Sequence, residues 1–177
     1  MADSKILVPF IKSAEGGYVN DPDDAGGATN KGVTYSVWKS IFGDTPDRFM
    51  AMNDEDWGRI FKQLYWDKIY ADQIQSQRIA NVLADWAYNA GSKTPSIDVQ
   101  DILNHAFAQH LTEDGQLGAQ SITSINAADE ETLYNDVIAK RLWFYDQCVA
   151  SHPSNVKFLQ GWKNRVQHLQ EFNNTLK

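Results

Sequence analysis

One stretch decides most of what this chain can become. Residues 18–34, YVNDPDDAGGATNKGVT, carry Gly26, Gly27 and Gly32, Pro22, and Asp21, Asp23 and Asp24, so no helix can run through them. The composition predicts turns with room for a small hairpin. On either side the pattern is helical. Leu7, Phe10 and Ile11 recur at helical spacing in a first helix that Gly16-Gly17 should stop, and Val33–Phe42 reads as a short helix.

From Asn53 onward helix dominates. Asn53 before Asp54, Glu55 and Asp56 is a helix start with acid in its first turn. Trp57, Ile60, Phe61, Leu64 and Tyr65 form its apolar stripe. A helix over 77–90 follows, with Ile79, Val82, Leu83, Trp86 and Ala90 on one stripe and Gly91 as its stop. Others are expected over 96–111, after the turn at 114–118, from 129 to about 149, and over 155–176. The fold class is mainly α, with at most a small β-hairpin after the first helix.

Composition then excludes classes of function. The 177 residues are 42% hydrophobic and 22% charged, an ordinary globular mix. A chain of this size buries roughly 70% of its unfolded surface. The net charge of −7 and the lack of clustered Lys and Arg argue against nucleic acid as a partner. The single cysteine, Cys148, allows no internal disulfide or zinc-thiolate site and reads as a structural thiol. His105, His110, His152 and His168 show no metalloprotease spacing. Asp21, Asp23 and Gly26 mimic a calcium loop, but its fifth position is Ala25 and its twelfth, where Glu is needed, is Gly32. No metal and no cofactor are therefore expected. The N-terminus lacks a secretory h-region, and no stretch approaches a membrane span, so the expectation is synthesis in soluble form in the cytoplasm without membrane insertion.

Twelve per cent of the residues are aromatic, which suits a groove for flat ligand faces such as sugars as well as it suits a core. Glycosidic cleavage needs a carboxylic acid held protonated near neutral pH, usually with a second carboxylate. Glu15, at a helix end before two glycines, fits the first role, because burial and the helix dipole both disfavour its charged form. Asp21, Asp23 and Asp24 compete for the second, and each equally suits turn chemistry.

The segment EGGYVNDPDDAGGATNKGVT resembles the opening motif of the secretion-activator-type muramidases of glycoside hydrolase family 108, a lysozyme-like group. The matches are Glu15–Tyr18, Asn20–Pro22 and Gly26–Gly32. Asp85–Gly91 resembles the family's mid-chain helix end, and Phe158-Leu159-Gln160-Gly161-Trp162 with Arg165 its C-terminal signature. Asp114–Gly118 with Ser121-Ile122 and Ile125-Asn126 resembles the predicted peptidoglycan-binding half. Phage lysozymes of the wider group place an Asp and then a Thr after the Glu; Asp24 fits that spacing, and Thr29 falls one residue early. Ala25 and Ala119 stand where the family often has Pro.

The resemblance implies a lysozyme-like catalytic region over 1–97 and a peptidoglycan-binding helical region over 98–177. Its implied activity is that of an N-acetylmuramidase on peptidoglycan glycan strands. Glu15 would be the acid, with Asp24 (Asp21 competing) as second carboxylate and Thr29 placing water. Tyr18, Asn20, Asp21, Asn30, Trp66, Trp86 and Asn89 are candidate glycan contacts, and Tyr70 joins them as a possible groove ring. For the aromatics a core role competes, and for Asn89 a helix cap. A lytic transglycosylase and a non-catalytic wall-binding or secretion-accessory protein are the alternatives. A monomer is expected, acting at the cell wall after release by some route other than a signal peptide.

Overall fold

The computed structural model describes residues 1–13 and 28–176. Among these the chain is helical nearly throughout, broken by one two-stranded hairpin, so the mainly α expectation holds. The elements are α1 (Ser4–Ser13), β1 (Thr29–Asn30), β2 (Val33–Thr34), α2 (Tyr35–Phe42), α3 (Pro46–Met50) and α4 (Asp54–Phe61). A π-turn (Lys62–Trp66) and two 3₁₀ turns (Asp67–Ile69, Ala71–Gln73) lead to α5 (Gln77–Ala90), α6 (Lys93–Ala106) and α7 (Ala119–Ala127). Then come α8 (Glu130–Ser151), a 3₁₀ turn (Pro153–Asn155) and α9 (Val156–Asn174). No described helix is long and apolar enough to cross a membrane.

The helix starts are where side-chain caps place them. Asn53 accepts from the Asp56 N–H at 2.8 Å, Ser76 from Ile79 at 3.2 Å and Asp129 from Thr132 at 3.0 Å. Gly91, at φ +79°, closes α5 with its N–H on the Ala87 carbonyl. Some elements differ from the sequence expectation. The helix after the turn-rich stretch begins at Tyr35, because Val33 and Thr34 pair in the hairpin and Thr34 then caps α2. The short α3, with Pro46 in its first turn, was not anticipated. The helix expected to reach residue 111 stops at Ala106. There the Asn104 amide takes both the N–H (2.7 Å) and the carbonyl (3.0 Å) of Leu111, and Ala108 adopts φ +52° as the chain turns back.

Two compact units divide the chain: Lys5–Leu64, and Met1–Ser4 with Tyr65–Lys177. In the first, Leu7, Ile11, Trp38, Phe49, Trp57 and Phe61 are buried. Trp38 meets Phe49 edge-on at 5.7 Å, and Trp57 lies parallel to Phe61 at 5.6 Å. Arg48 lies over the Phe42 ring at 4.7 Å and pairs with the buried carboxylate of Asp56.

In the second unit α5 packs against α6, α8 and α9, and every residue from Arg78 to Ala87 is buried. The sequence suggests a single apolar stripe here, yet the polar positions are buried too, each with partners. The Asn81 amide donates to Asn173 at 2.8 Å, and Asn173 donates to the Tyr134 hydroxyl at 3.3 Å, joining α5, α9 and α8. The N-terminal residues join this unit through the Ala2 N–H to the Ile74 carbonyl and the Asp3 N–H to Gln77.

Candidate active site

Glu15, Tyr18, Asn20, Asp21, Asp23 and Asp24 lie outside the described residues, as does the expected stop of the first helix at Gly16-Gly17. What the structure gives is the pair of elements flanking them, α1 ending at Ser13 and the hairpin opening at Thr29.

The hairpin is two residues wide at its turn. Thr29 pairs with Thr34 and Asn30 with Val33, leaving Lys31 (φ +48°) and Gly32 (φ +78°) as the loop. Positive φ at both central residues is the signature of the turn that matches strand twist, and it explains why Gly32 sits second. Lys31 is held in this unusual conformation from outside: the Trp57 indole N–H donates to its carbonyl at 3.0 Å, and its ammonium donates to the Met52 carbonyl at 2.9 Å. Thr29 is half-buried on β1.

Asn30, a candidate glycan contact, has a different place. Its side chain is buried and its amide donates to the carbonyls of Phe49 (2.7 Å) and Met50 (3.2 Å). It braces the hairpin on α3 through carbonyls at that helix's C-terminal end, where intrahelical partners run out.

A shared anchor ties the two flanking elements. Lys12, in the last turn of α1, forms an ion pair with Asp54, and Lys31 of the hairpin turn lies 3.7 Å from the same carboxylate. Asp54 opens α4, where the helix N-terminus also favours its negative charge. Lys12 first, then Lys31, holds its carboxyl below the ordinary value. Sequence reading took Asp54 only as first-turn acid, because nothing local reports a partner 42 residues upstream.

The other candidates fall in the second unit. Trp66 is fully buried, its indole N–H donating to Asp72 at 2.6 Å. Trp86 is fully buried against Phe144 at 5.7 Å. As placed, neither presents a face to a sugar, and both are core rings. The exposed Asn89 donates back to the Asp85 carbonyl at 2.6 Å, one turn away, as a helix-end group would. Tyr70 is exposed at φ +52° between the two 3₁₀ turns.

The signature stretches 85–91 and 158–165 meet through charge. The carboxylate of Asp85, fully buried, accepts from Arg141 at 2.7 Å and from two nitrogens of Arg165 at 2.7 and 3.1 Å. Arg141 also donates to the Tyr145 hydroxyl at 3.0 Å. This clamp is structural, and its members sit 56 and 80 residues apart, beyond the reach of any spacing rule.

One set of possible metal donors occurs among the described residues. Asp101, His105 and Glu113 bring ligand atoms within 4.8 Å, but Asp101 already accepts from Lys140 at 2.7 Å. Cys148 is half-buried, and burial raises its thiol pKa, the opposite of an activated nucleophile.

The glycosyl hydrolase 108 family matches residues 8–91, which include the Glu15 motif, the hairpin and α4. The predicted peptidoglycan domain family matches residues 94–167, from α6 into α9. No curated protein matches the chain by sequence. Among solved structures, SagA of Brucella abortus is similar over 97% of this chain and 94% of its own, at 22% identity and a TM-score of 0.74, a likeness of fold. The chain thus carries a glycosyl hydrolase 108 region, residues 8–91, joined to a predicted peptidoglycan domain region, residues 94–167.

Proposed function

We propose that this protein is an N-acetylmuramidase. It hydrolyses the β-1,4 bond between N-acetylmuramic acid and N-acetylglucosamine in peptidoglycan, with residues 1–97 carrying catalysis and 98–177 carrying wall binding. The observation that carries the reading is the coincidence of the long Glu15 motif with the glycosyl hydrolase match over 8–91. Glu15 donates its proton to the leaving oxygen. Asp24 or Asp21 stabilises positive charge at the anomeric carbon or guides water, and Thr29, on the edge of the hairpin, helps to place that water. The protein acts as a monomer at the cell wall.

The test is Glu15→Gln, which keeps the side chain's shape and removes its proton. Release of soluble muropeptides from sacculi should cease, with fold and sacculus binding retained. Substantial residual lysis would refute the assignment of the acid. Mass spectrometry of wild-type products then fixes the chemistry: reducing ends mean a hydrolase, 1,6-anhydro ends a lytic transglycosylase. Binding without any release would mean a non-catalytic wall protein.

A further inference from the structure

Among the described residues few large rings stand open to solvent, and two of them lie on the α8–α9 side of the peptidoglycan-domain region. Trp143, on α8, is 52% exposed, and Phe158, on α9, is 48% exposed. Their surroundings differ in kind. Phe158, with the Lys157 ammonium 4.9 Å from its ring centre, continues an apolar row, tilted against Trp162 at 5.9 Å with Val156 exposed nearby, and Trp162 in turn stacks on Tyr145. Trp143 stacks on no other described ring. Its neighbours one turn along α8 are Ala139, Lys140, Asp146 and Gln147, none of them a large apolar side chain.

Instead a polar row runs from the indole. The Lys140 ammonium lies 4.8 Å from the ring centre, 2.7 Å from Asp101 and 3.8 Å from Asp98. The Asp101 carboxylate lies 2.9 Å from the exposed His105 imidazole. Asn104, on the same helix, holds Glu113 at 2.9 Å. An open indole beside fixed cationic, carboxylate, imidazole and amide groups matches the two needs of a pyranose: a flat surface for its C–H face, and directional donors and acceptors for its hydroxyls and acetamido groups. A protein or lipid partner would call instead for continuous apolar area, to which the Phe158–Trp162 row comes nearer than Trp143 does.

We propose that Trp143, with Lys140, Asp98 and Asp101, forms a glycan-binding subsite for an N-acetylhexosamine unit of peptidoglycan, separate from the catalytic motif. The indole stacks on the sugar ring through the face opposite the Lys140 ammonium. Lys140, held by Asp101, keeps donors for the sugar's oxygens, and the carboxylates of Asp98 and Asp101 accept from its hydroxyls. The subsite rests on the wall-binding reading given above, and gives that reading residues.

The experiment is sedimentation of the full chain with purified peptidoglycan sacculi, in the Glu15→Gln background so that the polymer survives. Trp143→Ala should weaken binding roughly tenfold, Trp143→Phe should restore most of it, and Lys140→Ala should weaken it to a lesser degree. Phe158→Ala should leave it unchanged. Trp143 is half exposed, so the melting temperature of each variant at this position should match the parent, which separates lost binding from lost fold. If the parent does not sediment with sacculi, the wall-binding reading itself fails and the subsite falls with it. If the parent binds and Trp143→Ala binds equally well, the subsite is refuted while wall binding stands. Loss of binding in Phe158→Ala alone would place the contact on α9 and overturn the assignment to Trp143.

Discussion

Asp54 and Asp85 each hold two basic side chains, but the first stands 75% open to solvent and the second is fully buried. Lys12 and Lys31 meet Asp54 through flexible stems at the surface, where screening and side-chain entropy leave ion pairs little net stabilisation. Arg141 and Arg165 fork onto Asp85 in the interior of their unit. There removing one partner strands charge away from water and costs about 3–5 kcal/mol. The elements flanking the Glu15 motif are thus tied by weak surface anchors and by side chains on backbone carbonyls. The unit around Asp85 is locked by groups that tolerate no loss. Damage to the first should show as lost positioning, and damage to the second as lost stability.

Asp85→Ala is the largest expected effect. It leaves the Arg141 guanidinium buried without its carboxylate, and chemical denaturation should report a loss of about 3–5 kcal/mol. Asp85→Asn, which keeps an acceptor oxygen, should lose less. A loss under about 1 kcal/mol for Asp85→Ala would erase the contrast between the units, because it would put Asp85 in the range of an exposed pair.

The two units were also unequally legible in the sequence. Helix starts at Asn53, Ser76 and Asp129 follow from caps acting within three residues, so local pattern finds them or comes close. The end of α6 was missed because the group that turns the chain is the Asn104 side chain reaching Leu111, with no Gly or Pro to mark it. Trp66 and Trp86 looked like groove rings because composition cannot separate a stacking surface from a core ring, and both are core. Asn30 was picked from the motif as a ligand and is a brace, since its partners at Phe49 and Met50 belong to a helix that sequence did not suggest. Glu15 stands on its motif and family match alone. The Asp54 anchor and the Asp85 clamp depend on contacts between distant segments, which single-sequence reasoning cannot supply.

Asn30→Ala comes next in size. It removes the amide from the Phe49 carbonyl, which keeps the Met52 N–H at 3.2 Å, and from the Met50 carbonyl, at about 0.5–1.5 kcal/mol, and frees the hairpin from α3. Amide hydrogen exchange should rise at residues 29–34 ahead of global unfolding. Equal protection in variant and wild type would mean that the Trp57 and Lys31 bonds hold the hairpin unaided.

Asp54→Asn should cost little stability and yet, by loosening both elements that flank the Glu15 motif, lower muropeptide release roughly tenfold. A folded pKa below the ordinary carboxylate value means that its contribution is present above that value and is lost as pH falls through the folded one. Wild type and variant should therefore converge in melting temperature in acid. Full activity in Asp54→Asn would show that the anchor does not position the motif.

The smallest effect compares one tyrosine from each unit. Burial first, then the hydrogen bond to Asp44, pushes Tyr35 up to about 12, while burial raises Tyr145 against the opposing pull of Arg141. Stability from the Tyr35 contact is whole below its ordinary value and fades as pH climbs through the folded one. Asp44→Asn should lower the Tyr35 midpoint toward ordinary phenol and leave Tyr145 where it is, read as phenolate absorbance with Tyr35→Phe as the subtraction. A Tyr35 midpoint that does not move would assign its shift to burial alone, and the hydrogen bond to Asp44 would then play no part in holding this side chain.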